Sequence, residues 1–155
     1  MLTKNERAFL DMIAYAELGP EMLKESDNGY NVVVGSTPSS LLLLLDYTDH
    51  PRILVKKVES TAAGHYQILM RIYDYYKKSL NLKDFSPNSQ DIIAMQLIRE
   101  CKAIEDIDAG RISLAISKCR SRWASLPGAG YGQREHRLED LIAIFQKSGG
   151  TVSEP

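Results

Sequence analysis

Helical periodicity runs along most of this 155-residue chain but lapses between Pro20 and about Gly64. On either side of that interval apolar residues recur at i, i+3, i+4 and i+7, the spacing of one helix face. Inside it the pattern changes to turn signals and short β-branched runs. Asp27-Asn28-Gly29 leads into Tyr30-Asn31-Val32-Val33-Val34, and Gly35 to Ser40 reads as a loop. Leu41 to Asp46 suits a second strand or a buried turn, and Ile53-Leu54-Val55 a third strand beyond the break at Asp49-His50-Pro51. The expected class is therefore α+β: a mostly helical body with a small antiparallel β region inserted after the first helix. The length favours a single domain, 1–155, with a β-rich lobe at about 27–64 and a helical lobe at 1–20 and 65–150.

The helices carry recognisable ends. Thr3 and Glu6 have capping-box spacing, predicting a first helix over about Lys4 to Glu17. Phe9, Leu10, Ile13, Ala14, Ala16 and Glu17 share one side of it, and Gly19-Pro20 should end it. Tyr66, Leu69, Ile72, Tyr73, Tyr76 and Leu80 form a second apolar face. Ser86-Pro87 is a cap and first-position pair for a helix reaching Glu100. One or two short helices should fill Ile104 to Trp123, broken at Gly110, followed by the glycine-dense loop Leu126 to Gly132. The last helix is expected over about Arg134 to Lys147, with Gly149 as terminator.

Charge narrows the function classes. Nineteen Lys and Arg face 20 Asp and Glu, a net −1, which argues against a nucleic-acid partner held by bulk positive charge. Arg111, Lys118, Arg120 and Arg122 still cluster around Trp123, as a solvated face or as an attractor of a negatively charged polymer. The apolar run Leu41 to Leu45 is far shorter than the roughly 20 residues of a membrane helix, so no stable membrane insertion is expected. That run suits a cleft lip, a membrane-touching patch or core, and core is the reading adopted. Cys101 and Cys119 are expected as buried free thiols, not as a disulfide framework. His50, His65 and His136 show no metal-ligand spacing, and neither a metal nor a cofactor is expected. Residues Met1 to Arg7 lack the basic-then-apolar layout of a signal peptide, predicting cytosolic accumulation, and the chain is expected to be a monomer.

Glu17 is the most informative titratable residue. It shares the apolar side of the first helix and stands at its C-terminal end. Burial and the negative end of the helix dipole both disfavour the carboxylate, and a carboxyl kept protonated near neutral pH suits a general acid. The same position also suits the last, solvated residue of a fraying helix, and spacing alone leaves both readings open. Tyr131, set among glycines, suits either a ligand-facing aromatic or a loop residue packed back on the core. Gln67 offers an amide for a polar substrate or an ordinary surface group. No carboxylate is clearly paired with Glu17, whereas ordinary glycosidases use two.

Long blocks of the chain are similar to one family. They are Ala8 to Glu17, Asp27 to Gly35, Asp46 to Arg52, Ser60 to Gln67, Trp123 to Gln133 and Gly149 to Val152, in that order. They resemble the endolysins of bacteriophage lambda and its relatives, peptidoglycan lytic transglycosylases with a lysozyme-like fold. The resemblance implies that Glu17 is the single catalytic acid and base. It implies that Gln67 and Tyr131 hold the sugar or orient Glu17, with Tyr30, Ser60 and Thr61 as weaker candidates for the cleft wall. The partner it implies is the glycan strand of peptidoglycan. The reaction is cleavage of the β-1,4 bond between N-acetylmuramic acid and N-acetylglucosamine, leaving 1,6-anhydro ends. The implied location is the host cytoplasm until release to the periplasm and cell wall. The chain departs from the family after Glu17, where Leu18-Gly19-Pro20 stands in place of Gly-Thr. Two alternatives stay open: a muramidase using water with help from Asp27 or Asp46, and a non-catalytic wall-binding virion protein.

Overall fold

In the computed structural model, residues 1–130 and 135–153 are described. They form two compact units, one made of Met1–Glu17 with Met95–Pro155 and the other of Leu18–Ala94. Helix α1 (Lys4–Lys24) begins in the first, α2 (Met70–Ser79) lies in the second, and α3 (Pro87–Glu100) ends in the first. Helices α4 (Ile104–Asp108), α5 (Ile112–Cys119) and α6 (Leu138–Lys147) complete the first unit.

The capping box forms as expected. Glu6 N–H donates to Thr3 Oγ1 at 3.0 Å, and Thr3 N–H donates to Glu6 Oε1 at 3.2 Å. The stop expected at Gly19-Pro20 is a break inside a longer helix. Gly19 takes φ 79° and ψ 163°, and helix then resumes to Lys24. Proline is accepted there because it falls in the first turn of the resumed stretch, where a missing N–H costs nothing. Ala8, Phe9, Leu10, Met12, Ile13 and Ala14 are all fully buried. The first stretch of α1 is thus covered around most of its circumference, not along a single stripe, and each large side chain contributes roughly 1.5–3 kcal/mol.

The rest of the first unit is tied to this helix. Asn5 Nδ2 donates to Ile107 O at 2.8 Å and to Thr151 O at 3.1 Å, and Thr151 N–H returns a bond to Asn5 Oδ1 at 2.9 Å. Gly110 separates α4 from α5 at φ 82°. The final helix starts later than expected, at Leu138, and closes as a Schellman motif. Gly150 N–H bonds to Phe145 O and Gly149 N–H to Gln146 O, with Gly149 at φ 102°.

The second unit holds the β region, in reduced form. Among the described residues it consists of five isolated antiparallel bridges, including Val32 with Leu43, Val33 with Ala63, and Ala63 with Ile68. Left-handed residues bound the expected runs closely: Gly29 and Gly35 flank Tyr30 to Val34, and Arg52 precedes Ile53, all at positive φ that a pleated ladder cannot extend through. The apolar face expected from Tyr66 begins only at α2, because Gly64 to Gln67 is a turn. Tyr73 and Phe85 pack edge to face at 5.2 Å, with the buried His50 ring 5.0 Å from Phe85.

The core reading of Leu41 to Leu45 is corrected. Leu42 and Leu43 are 46% and 42% exposed and Leu45 is fully exposed. The run is held by its backbone, with Val33 N–H donating to Leu42 O and Leu44 N–H to Asn31 O. Leu41 and Leu44 are half-buried, so none of the five side chains reaches the core.

Candidate active site

In the first unit the end of the first α1 stretch meets the loop after Trp123. Ser125 Oγ donates to Glu17 Oε2. His136 joins the same pair from the next segment: its N–H donates to Ser125 O at 3.0 Å, and its ring Nε2 donates to Ala16 O at 2.9 Å. The Ala16 carbonyl is one of the groups a helix leaves unpaired at its C-terminal end, and the imidazole satisfies it. Tyr15 lies against the same ring, centroids 6.0 Å apart. Glu17 is thus set by its own helix, by a hydroxyl and, through Ala16, by a histidine.

Burial raises the Glu17 carboxyl to about pH 7, against a smaller downward pull from the Ser125 hydroxyl. No charged group of the described residues figures among these influences. A carboxyl with this acidity can donate a proton near neutral pH and take one back afterwards. Glu17 is only partly exposed, which does not fit the last, fully solvated residue of a fraying helix.

The second unit holds the other sequence-nominated residues. Gln67 sits at φ 52°, a strained position for a residue with a Cβ. Its Nε2 donates to Gly64 O at 2.9 Å and to Val32 O at 3.3 Å, which turns the amide oxygen away from the turn. Thr61 Oγ1 accepts from Met70 N–H at 3.0 Å, capping α2 from outside the helix. Ser60 Oγ accepts from Ala62 N–H at 3.1 Å, a local turn bond. The Tyr30 ring stacks on His65 at 4.0 Å, and its hydroxyl donates to Asp91 Oδ1 at 2.9 Å, an oxygen that also accepts from Tyr66. Tyr131 lies outside the described residues.

Sequence reading missed four supporting residues. Ser125 lies in no motif that singles it out, and the sequence raises His136 only as a metal-ligand candidate. Gln90, fully buried, accepts from His65 N–H at 2.9 Å and donates to Phe85 O and Tyr30 O at 2.8 and 3.1 Å. It clamps the Gly64–Gln67 turn from beneath. Glu135 accepts from Gly128 N–H at 2.9 Å and Gly130 N–H at 3.0 Å, closing the glycine loop. The Ser125–Glu17, His136–Ala16 and Gln90–Tyr30 contacts join residues far apart in sequence and leave no local signature.

Among the described residues no group of three His, Cys, Asp or Glu is placed to hold a metal ion, and no helix is long and apolar enough to cross a membrane. The basic cluster is largely spoken for: buried Asp106 takes Arg111 at 2.8 Å and Lys118 at 2.6 Å, and Arg122 pairs with Glu100 at 3.1 Å. These two carboxylates offset two of the cluster's four positive charges.

The family model described as Endolysin matches residues 7–152. The chain belongs to the endolysin family. It is 50% identical to the endolysin of Escherichia phage lambda over 158 residues, covering 99% of this chain and 96% of that protein. The endolysin of Escherichia phage P2 is 47% identical over 155 residues, covering 95% and 94%. Among solved structures, bacteriophage lambda lysozyme complexed with a chitohexasaccharide superposes with a TM-score of 0.90 at 49% identity, over 99% of both chains. A second lambda lysozyme structure gives 0.85 at 48% identity, again over 99% of both. This endolysin is therefore an enzyme of the lambda lysozyme type, mostly helical and lysozyme-like in fold.

Proposed function

We infer that this endolysin cleaves the β-1,4 bond between N-acetylmuramic acid and N-acetylglucosamine by lytic transglycosylation. The observation that carries the reading is Glu17, a carboxyl raised to about 7 by burial, with a hydroxyl as its hydrogen-bond partner and no charged helper acting on it among the described residues. That arrangement suits a reaction that needs one carboxyl. Protonated Glu17 gives its proton to the glycosidic oxygen as the bond to muramic C1 breaks with oxocarbenium character. The resulting carboxylate then takes the proton of the same sugar's C6 hydroxyl, which closes on C1. The product is a 1,6-anhydro ring, and water is not consumed, so no second carboxylate is required to activate it. The C6 hydroxyl is already tethered to the reacting sugar, an advantage of proximity over solvent.

The substrate is the glycan strand of peptidoglycan. The chitohexasaccharide bound to the lambda relative supports a β-1,4-linked hexosamine polymer as the ligand class. Gln67, with its amide oxygen turned away from its own turn, and Tyr131 hold the sugars. Tyr30, Ser60 and Thr61 support the wall around them. The whole chain acts as one catalytic domain, made in the host cytoplasm and delivered to the wall on release.

Digestion of purified peptidoglycan tests the reading. Fragments ending in anhydro-muramic acid, lighter by one water than reducing ends, are expected, and reducing ends would make the enzyme a hydrolase. Glu17→Gln should slow release by at least about 10²–10⁴-fold while the protein stays folded. Wild-type clearance by that variant would remove Glu17 from the mechanism.

A further inference from the structure

The backbone leaving Ser125 is built on glycine. Gly128 and Gly130 sit at φ 81° and 79°, a left-handed region that glycine enters without penalty. Glycine also loses the most conformational freedom when it is ordered, so a stretch of this kind keeps one path where other groups tie it down. The ties come from two adjacent residues. Glu135 Oε1 accepts from Gly128 N–H at 2.9 Å and Glu135 Oε2 from Gly130 N–H at 3.0 Å, so one carboxylate spans both amides. His136 N–H donates to Ser125 O at 3.0 Å, and its ring reaches Ala16 O at 2.9 Å. Ser125, in turn, donates to Glu17.

We propose that Glu135 is a positioning residue for Glu17: its carboxylate fixes the backbone from Ser125 to Gly130 and so keeps the Ser125 hydroxyl aimed at the Glu17 carboxyl. Glu135 is itself exposed and acts through that backbone. The ionised form is the one the clamp needs. A carboxylate offers lone pairs on both oxygens to two donors, and a bond to a charged acceptor is stronger than a neutral one. The two glycine N–H donors hold Glu135 below the usual carboxylate range, so the clamp stays charged near neutral pH.

The Ser125 hydroxyl favours the Glu17 carboxylate, against burial. Releasing Gly128 and Gly130 lets Ser125 drift from Glu17, and the carboxyl then moves up toward the higher pKa that burial alone sets. Leu126 is fully buried and anchors the same stretch, so the share held by Glu135 is the quantity to measure. The catalytic meaning of the inference rests on Glu17 as the acid of the reaction. Its test reads the Glu17 carboxyl directly, without substrate.

The full chain, carbon-labelled at its glutamate carboxyls, is titrated by NMR, with Glu17→Gln identifying the Glu17 signal. Ser125→Ala should raise the Glu17 pKa by as much as about one unit. Glu135→Ala should raise it too, by no more than Ser125→Ala does. The double variant should match Ser125→Ala, because both changes act on the same bond. Glu135→Gln keeps one acceptor oxygen and should fall between wild type and Glu135→Ala. An unmoved Glu17 titration in Glu135→Ala would overturn the proposal, leaving Leu126 and His136 to hold Ser125 without it. A lowered pKa would overturn it as well, since the clamp would then shield Glu17 from water and not aim the hydroxyl. Additive shifts in the double variant would do the same. Glu135 is exposed, so its truncation leaves no cavity, and Glu135→Gln carries the test if the alanine variant fails to fold. Full wall clearance by Glu17→Gln would defeat the catalytic reading and leave these titrations standing.

Discussion

The Ser125 hydroxyl donates to the Glu17 carboxyl across 108 positions of sequence. This bond favours the carboxylate, whereas burial favours the neutral acid, and burial is the larger influence. The acidity of Glu17 is the balance of the two, and each side can be changed separately.

Ser125→Ala removes the influence that lowers the Glu17 pKa. A single neutral hydrogen bond contributes about 0.5–1.5 kcal/mol, and one pKa unit corresponds to about 1.4 kcal/mol. The alkaline limb of kcat/KM, where the acid form is lost, should move up by as much as about one pH unit. A pH–rate profile of wall clearance measures it. An unmoved or acid-shifted limb would separate Ser125 from the titration.

The raised pKa also fixes how stability responds to pH. Folded Glu17 holds its proton to about 7, while the unfolded carboxyl releases it near 4.5. Between those values the folded state binds more protons, so this group's contribution to stability falls as pH rises through the window and levels off above it. Glu17→Gln has no such cost. Its melting temperature should exceed that of wild type by more at pH 8 than at pH 4, with each kcal/mol worth about 2–4 °C in a chain of this size. Calorimetry at the two pH values reads the difference directly.

His136 serves the site through backbone. Replacing it by Phe keeps an aromatic ring near Tyr15 but removes the donor to Ala16 O. Leaving that helix-end carbonyl unpaired should cost about 1–3 kcal/mol. Because Glu17 follows Ala16 directly, kcat should fall more than KM rises. Thermal melts and initial-rate kinetics check both parts, and an Asn at this position, able to donate, should recover part of the loss.

Gly64 tests the turn that carries Gln67. It sits at φ 87°, and an added Cβ would approach the Gln90 amide oxygen to 2.2 Å. Gly64→Ala should cost about 1–3 kcal/mol in left-handed strain alone, with displacement of Gln90 in addition. Chemical denaturation measures the loss, and Gly130→Ala, where an added Cβ meets nothing within 4 Å, serves as a comparison of positive φ without the clash.

The amino-acid sequence by itself determined several of the helix limits, for a local reason. The Thr3–Glu6 box, the Ser86-Pro87 start, the Gly110 break and the Gly149 stop are each set by φ preferences and hydrogen bonds reaching only a few residues. Glu17 could be nominated from its helix face, and the family resemblance from blocks spread over the chain. Tertiary structure alone decided whether Glu17 was buried, which hydroxyl reached it, and that Gln90 would clamp a turn built from residues 64 to 67. It also reduced three expected strands to bridges and turned Leu42, Leu43 and Leu45 outward. Burial and electrostatics are sums over neighbours in space, and those neighbours come from segments whose spacing along the chain carries no record of the meeting.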